Sequence, residues 1–210
     1  MSRGTRWILT GLVLVSAAVV GWVWVIARPD AGPTAPPPPP PSRSPPTYVL
    51  DVTLRRVKAI PVRGSVKPRK LRAPAEAVRQ AFTDLYSAAF VDPSRWEGGT
   101  FGAVFQHFAP EARQDAGRHL EDLTLGRAAE HVTAVRPEWA RLDVRFLLGP
   151  AKVPVAAQTS IRFVATAFAA DGSQVPVRHR GEYLLERLDG RWLIVSYEVE
   201  GGFGPKAVPT

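Results

Sequence analysis

The 210-residue chain contains no cysteine and a single methionine. The lack of cysteine excludes disulfide bonds, thiol nucleophiles and cysteine-ligated metals. The H-E-x-x-H, G-x-S-x-G, P-loop and G-x-G-x-x-G patterns of zinc proteases, serine hydrolases and nucleotide-binding proteins are also missing. The four histidines are scattered, with no acidic partner at ligand spacing. We therefore expect neither a metal site nor a cofactor.

Charge is absent from residues 7–27, which also lack proline, asparagine and glutamine. A helix of about 20 apolar residues crosses a hydrocarbon core of ~30 Å, and tryptophans such as those near both ends of this run favour the headgroup layer. We predict an uncleaved transmembrane signal anchor here. A cleaved signal peptide is the alternative, but its apolar region is usually only about 7–15 residues long.

Basic residues around this helix favour one orientation. Two arginines and the amino terminus precede it, whereas Arg28 and Arg43 follow it at short range. This small excess predicts a cytoplasmic stub at residues 1–6 and a C-terminal part outside the cytoplasm. The sequence is thus typical of a single-pass protein of the cell membrane.

Proline dominates the segment after the helix, with ten prolines at positions 29–46. Such a segment adopts an extended polyproline II conformation, and eighteen residues at ~3.1 Å each reach up to ~55 Å. We predict a spacer over residues 28–46. A ligand for proline-recognising domains is the alternative.

Positive charge is concentrated near the N-terminus. Residues 1–70 contain 11 basic and 2 acidic residues, whereas residues 71–210 contain 16 basic and 17 acidic ones. We predict that residues 47–71 form a solvated basic segment with one strand. The further hypothesis is that its basic side chains contact anionic lipid or an anionic envelope polymer. The predicted contact residues are Arg55, Arg56, Lys58, Arg63, Lys67, Arg69 and Lys70. No DNA-binding motif or aromatic interleaving accompanies them, so we expect no nucleic-acid partner.

Helical spacing precedes strand alternation in the rest of the chain. Helices are predicted at residues 75–90, 100–108 and 110–126, and strands at residues 48–56, 130–136, 140–148, 155–169, 175–188 and 191–200. Asp189-Gly190 is typical of a two-residue hairpin turn. This order predicts an α+β domain at residues 72–202, with helices packed on a curved antiparallel sheet of four to six strands, and a flexible tail at 203–210.

The first helix reads A-V-R-Q-A-F-T-D-L-Y-S-A-A-F at residues 77–90, and the closing hairpin reads G-E-Y-L-L-E-R-L-D-G-R-W-L-I-V-S-Y-E-V at residues 181–199. In this order they resemble the nuclear transport factor 2-like superfamily over residues 72–202, which implies a cone-shaped fold. The anchored arrangement is similar to accessory proteins of bacterial envelope and secretion systems, which implies contacts with proteins instead of chemistry.

Enzymes of this superfamily place Asp, His, Tyr or Arg inside the cone. The resemblance therefore implies Asp84, Tyr86 and His179 as ligand-binding candidates of an interior pocket, with no catalytic residue assigned. A solvent-facing Asp84 and a hydrogen-bonded core His179 are the alternatives.

Two functions remain in competition. We expect a non-enzymatic interaction or scaffold domain of the cell envelope that binds another envelope protein or itself. A small-ligand binder or an enzyme of hydrolase or isomerase type, using the interior pocket, is the rival. A closed, filled interior favours the first, whereas an open pocket of about 300 Å³ or more, with Asp84 or His179 converging on Tyr86, favours the second.

Overall fold

The computed structural model of the protein describes residues 46–60, 66–96 and 99–203. The predicted membrane helix, the proline-rich spacer up to residue 45, Arg63 and residues 204–210 lie outside this part of the chain. Within it, no helix combines the length and the apolar character that a bilayer crossing requires.

A five-stranded sheet forms one side of the domain, and its strands lie in sequence order. They are Val52–Ile60 (β1), Val132–Leu148 (β2), Pro154–Ala169 (β3), Gln174–Leu188 (β4) and Arg191–Phe203 (β5). The strands β2 to β5 are antiparallel, as predicted. The prediction of a wholly antiparallel sheet was wrong at one edge, because β1 pairs in parallel with β2. Parallel neighbours need a long crossover, and the helices between these two strands supply it.

The helices occupy the crossover from β1 to β2. They are Arg69–Tyr86 (α1), Gly102–Phe105 (α2), Pro110–Arg118 (α3) and Leu120–Leu123 (α4), with a π-helical turn at Ser87–Val91 and 3₁₀ turns at Pro93–Arg95 and Gly126–His131. The helix α1 begins earlier than predicted, just after Pro68, and contains Pro74. Pro74 lies in the second turn of the helix, where a proline cannot donate the backbone hydrogen bond to residue 70.

Two predicted strands are joined in the structure. The segments predicted at residues 130–136 and 140–148 form the single strand β2, with an irregularity between Pro137 and Trp139. Proline has no N–H to donate to a neighbouring strand, so it belongs at such an irregularity. The strand β1 is also displaced towards the C-terminus relative to the prediction and ends at Ile60.

One face of the sheet packs against the helices to form the core. Side chains alternate along β2 and β3, so that Leu142 and Phe146 of β2 are buried with Ile161 of β3. The helix α1 covers them with buried residues that include Val78 and Phe82. The predicted α+β class is confirmed, with helices on a five-stranded mixed sheet. The other face of the sheet carries the exposed side chains.

Candidate functional site

A cluster of polar side chains lies inside the core, where α1 faces β4. The Tyr86 hydroxyl is 2.8 Å from Nδ1 of His179 and 3.3 Å from the Tyr183 hydroxyl. On the other side of its ring, Nε2 of His179 is 3.0 Å from the backbone carbonyl oxygen of Asp122. We call Tyr86, His179 and Tyr183 the interior triad.

The hydrogen-bond partners of the triad determine which of its atoms donate a hydrogen and which accept one. A carbonyl oxygen can only accept, so Nε2 of His179 carries the hydrogen and donates it to Asp122. The other ring nitrogen of a neutral histidine is then an acceptor, and Tyr86 donates to it. With its own hydrogen used in this way, Tyr86 accepts from the Tyr183 hydroxyl. Each polar side-chain atom of the triad therefore has a partner.

The triad is enclosed. Tyr86, His179 and Tyr183 are 1%, 4% and 3% exposed, so solvent and solutes do not reach them in this arrangement. Burial lowers the pKa of His179 to about 4, although the hydrogen bond to the Asp122 carbonyl opposes the shift. Burial also raises the pKa of the Tyr86 and Tyr183 hydroxyls. At neutral pH the triad is thus uncharged and fully protonated on its phenols.

Aromatic rings fill the space around the triad. The Phe163 ring centre lies 5.6 Å from that of Tyr86 in an edge-to-face arrangement, and the Phe90 ring centre lies 5.0 Å from that of His179. Such contacts at 4.5–7 Å are favourable in themselves. The interior of the domain is therefore packed with side chains where the rival function would need an open pocket.

Two glycines make room for the rings of β4. A Cβ atom on Gly181 would lie 2.7 Å from Cζ of Tyr183, and one on Gly201 would lie 2.9 Å from Cδ2 of His179. Both distances are shorter than non-bonded carbon atoms allow. The absence of a side chain at both positions therefore leaves space for the Tyr183 and His179 rings.

Replacing Gly181 with alanine should lower the free energy of unfolding by about 1–3 kcal/mol, because the added methyl group displaces the buried Tyr183 ring. A matched control is Gly117→Ala in α3, where nothing lies within 4 Å of the new Cβ. That change should stabilise the domain by about 0.5–1 kcal/mol. Urea denaturation of both variants measures the difference, and effects of the same sign would contradict the packing role of Gly181.

Asp84 does not join the triad. It lies on the exposed side of α1, where Nε2 of Gln80 donates to its Oδ1 at 3.0 Å. It lines an open groove of about 380 Å³ between α1 and the β4–β5 hairpin, together with His107 and Trp192. Nε2 of His107 is buried there with no hydrogen-bond partner. Burial lowers the pKa of His107, and the nearby Asp84 carboxylate opposes the shift.

The sequence-predicted pocket residues are thus only partly brought together. Tyr86 and His179 are in contact, as a shared cavity would require, but the space around them is filled by other side chains. The third member, Tyr183, was visible in the sequence only as a residue on the same strand face as His179. Ligand binding by Asp84, Tyr86 and His179 stays a prediction.

The predicted anion-contact residues fall into two groups. Arg55, Arg56 and Lys58 belong to β1, within the folded sheet, and are exposed. Lys67, Arg69 and Lys70 are exposed at the start of α1. Much of the basic run is therefore part of the folded domain. The prediction placed one strand in it but did not include it in the domain.

Exposed aliphatic side chains gather at one end of the outer sheet face. Ile60 and Leu147 are cross-strand neighbours on β1 and β2, and are 50% and 39% exposed. Val155 lies at an irregularity of β3 beside Leu147, and Val153 precedes it in the β2–β3 turn. These two are 50% and 48% exposed. We call these four residues the aliphatic patch.

Neither protein-family models nor curated protein sequences match the chain. Among the described residues, no three His, Cys, Asp or Glu side chains are grouped closely enough to hold a metal ion.

Several solved structures are similar to this chain. A protein described as a scytalone dehydratase from Novosphingobium aromaticivorans is 10% identical, with a TM-score of 0.45 over 68% of this chain and 94% of its own. The hexachlorocyclohexane dehydrochlorinase LinA type 2 is 13% identical, with a TM-score of 0.40 over 67% and 94%. A protein described as a calcium/calmodulin-dependent protein kinase II association domain from Xanthomonas campestris is 16% identical, with a TM-score of 0.34 over 73% and 97%. Similarities at this level assign no activity to this chain.

Proposed function

We propose that this chain is a membrane-anchored, extracytoplasmic protein-interaction domain of the bacterial cell envelope, with a fold of nuclear transport factor 2-like type and no enzymatic activity of its own. The apolar run at residues 7–27 and the proline-rich spacer after it support the anchored arrangement. The helices between β1 and β2, followed by the four antiparallel strands β2 to β5, support the fold assignment.

The observation that carries this proposal is the aliphatic patch. Soluble domains bury most large aliphatic side chains, so a group of them left exposed together marks a contact surface. The packed interior supports the same conclusion, because the groups that could perform chemistry there are enclosed and hydrogen-bonded.

The surroundings of the patch indicate its partner. Basic residues flank it, since Lys58 and Arg145 are the next cross-strand pair on the same face of β1 and β2, and Lys152 lies in the β2–β3 turn. Two copies of the chain that met through this patch about a two-fold axis would bring these basic groups close together, at an electrostatic cost. We therefore propose a different protein as the partner, with an apolar surface bordered by acidic side chains.

Charging the patch tests this proposal. In the full-length protein, Ile60→Glu with Leu147→Glu should reduce cross-linking to a captured envelope partner by about tenfold or more, because two carboxylates would have to be desolvated in the contact. The matched control is Val49→Glu, since Val49 is 89% exposed and outside the patch.

Quantitative mass spectrometry of the cross-linked products provides the measurement, with circular dichroism to establish that each variant is folded. A partner that is lost equally with the Val49 control, or kept equally by both variants, would refute the role of the patch.

The second candidate function is a small-ligand binder, and the observation that favours it is the unpartnered Nε2 of His107 beside the groove that Asp84 lines. At about 380 Å³, this groove falls in the range of small-molecule sites. It is exposed to solvent along α1, and it differs in place from the interior pocket that the resemblance implies.

A further inference from the structure

A second, polar groove crosses the outer face of the sheet over β1, β2 and β3, and its volume is about 250 Å³. It is lined by Arg55, Arg56, Arg141, Asp143, Ser160 and Arg162. We call it the arginine groove. It does not include any member of the aliphatic patch, and the inference drawn from it does not depend on the interaction role proposed above.

Strand register brings these residues together. Arg56 of β1 is the cross-strand neighbour of Asp143 on β2, which in turn neighbours Ser160 on β3. Arg141 of β2 similarly neighbours Arg162 of β3. Residues two apart on a strand share a face, so both rows lie on the outer side of the sheet.

An irregularity in β1 adds one more arginine. The register between β1 and β2 shifts between Leu54 and Arg56, which leaves Arg55 as the extra residue of a β-bulge. In a regular strand, consecutive side chains point to opposite faces, whereas a bulge redirects the extra side chain. Arg55 and Arg56 therefore line the same groove although they are consecutive.

The positive charge of the groove is not balanced. Across the part of the chain that the structure describes, none of its four arginines forms an ion pair, although Arg79, Arg95, Arg118 and Arg127 each have an acidic partner within 4 Å. Asp143 is the one acidic residue in the groove lining, and its Oδ1 is buried without a hydrogen-bond partner. Four guanidinium groups thus face one carboxylate.

One of these arginines is held in place from outside the groove. The guanidinium of Arg141 stacks over the half-buried ring of Trp139, 4.6 Å from its centre. Stacking of this kind fixes the plane of the guanidinium and reduces the entropy lost when it binds a ligand. Ser160, which is also half-buried, adds a hydroxyl donor between the arginines.

We propose that the arginine groove binds a phosphoester group. Guanidinium groups donate two parallel hydrogen bonds to phosphate oxygens, and a tetrahedral phosphate presents enough oxygens for several arginines and a hydroxyl at once. A planar carboxylate has only two oxygens and would leave part of this donor set unused. The phosphoester belongs either to a lipid headgroup or to a soluble or polymeric phosphate ester.

Calorimetric titration of the full-length chain in micelles of a zwitterionic detergent tests the proposal. The probes are inorganic phosphate, glycerol 3-phosphate and phosphatidylglycerol incorporated in the micelles, at constant ionic strength. Binding of glycerol 3-phosphate or inorganic phosphate indicates a soluble source, and binding of phosphatidylglycerol alone indicates a lipid. Either result supports a phosphoester site, whereas no binding of any probe overturns it.

Variants distinguish specific binding in the arginine groove from non-specific attraction of an anion to the positively charged protein. Arg141→Gln with Arg162→Gln should weaken binding by about tenfold or more, since two hydrogen-bonded charge contacts are lost. Asp143→Asn should strengthen it severalfold, because the change removes a negative charge at nearly constant shape. Arg187→Gln is the control, as Arg187 is exposed near the β4–β5 hairpin and outside the groove. An equal loss for Arg187→Gln and the double arginine variant, or weaker binding by Asp143→Asn, overturns the proposal.

Discussion

Lowering the pH from 7 to 4 should reduce the free energy of unfolding by about 3 kcal/mol through His179 alone. The pKa of this histidine falls from 6.5 to about 4 in the folded domain, because its ring is enclosed by aromatic side chains. One pKa unit corresponds to about 1.4 kcal/mol of difference between the two protonation states. This is a large share of the 5–15 kcal/mol that usually separates a folded domain from its unfolded state.

The sign follows from proton binding. The folded-state pKa of His179 lies below the unfolded one, so between these two values the unfolded chain binds more protons than the folded domain. The stabilising contribution is complete above pH 6.5 and is lost progressively as the pH falls towards 4. Protonation also places a hydrogen on Nδ1, where Tyr86 now donates, and so breaks the proton order of the triad.

Urea denaturation at a series of pH values measures this contribution. His179→Phe keeps a ring in the core but cannot take up a proton, so its stability should fall less between pH 7 and 4, by about 3 kcal/mol. The control is His131→Gln, which removes an exposed histidine. Parallel stability profiles for the His179 variant and the parent protein would show that the buried ring is not responsible for the acid sensitivity.

Short-range signals in the sequence predicted much of the fold. Asp189 and Gly190 both have positive φ, 50° and 80°, as the predicted two-residue hairpin requires. Alternation along residues 155–169 and 175–188 located β3 and β4 to within one residue at their starts. These features depend only on neighbouring residues, which a single sequence displays directly.

Long-range features of the fold could not be predicted from local sequence patterns. The parallel pairing of β1 depends on where the crossover returns the chain, and the arginine groove depends on a register shift in β1. Neither leaves a local pattern. One feature of the candidate site could have been predicted, namely that Asp84 and Tyr86 do not face the same cavity. They are two residues apart on a helix of 3.6 residues per turn, so their side chains point in widely different directions.

Truncating Phe163 to alanine should lower the free energy of unfolding by about 3–5 kcal/mol. The Phe163 ring is 1% exposed and contacts the rings of both Tyr86 and Phe90, so its loss leaves a cavity at the triad. Val164→Ala is the control, because Val164 is the next residue on β3, is half-buried and faces the other side of the sheet. It should cost about 1 kcal/mol or less.

Equilibrium denaturation compares the two variants, and Phe163→Leu provides a folded intermediate case if the alanine variant is too unstable. An engineered cavity with apolar walls binds small aromatic molecules, so benzene or phenol should raise the melting temperature of the Phe163 variant and leave that of the parent unchanged. If Phe163→Ala costs no more than Val164→Ala, or if phenol stabilises the parent equally, the interior is not packed as described. Binding of phenol to the variant alone would show that the Phe163 ring fills the space beside Tyr86 that an interior ligand would need.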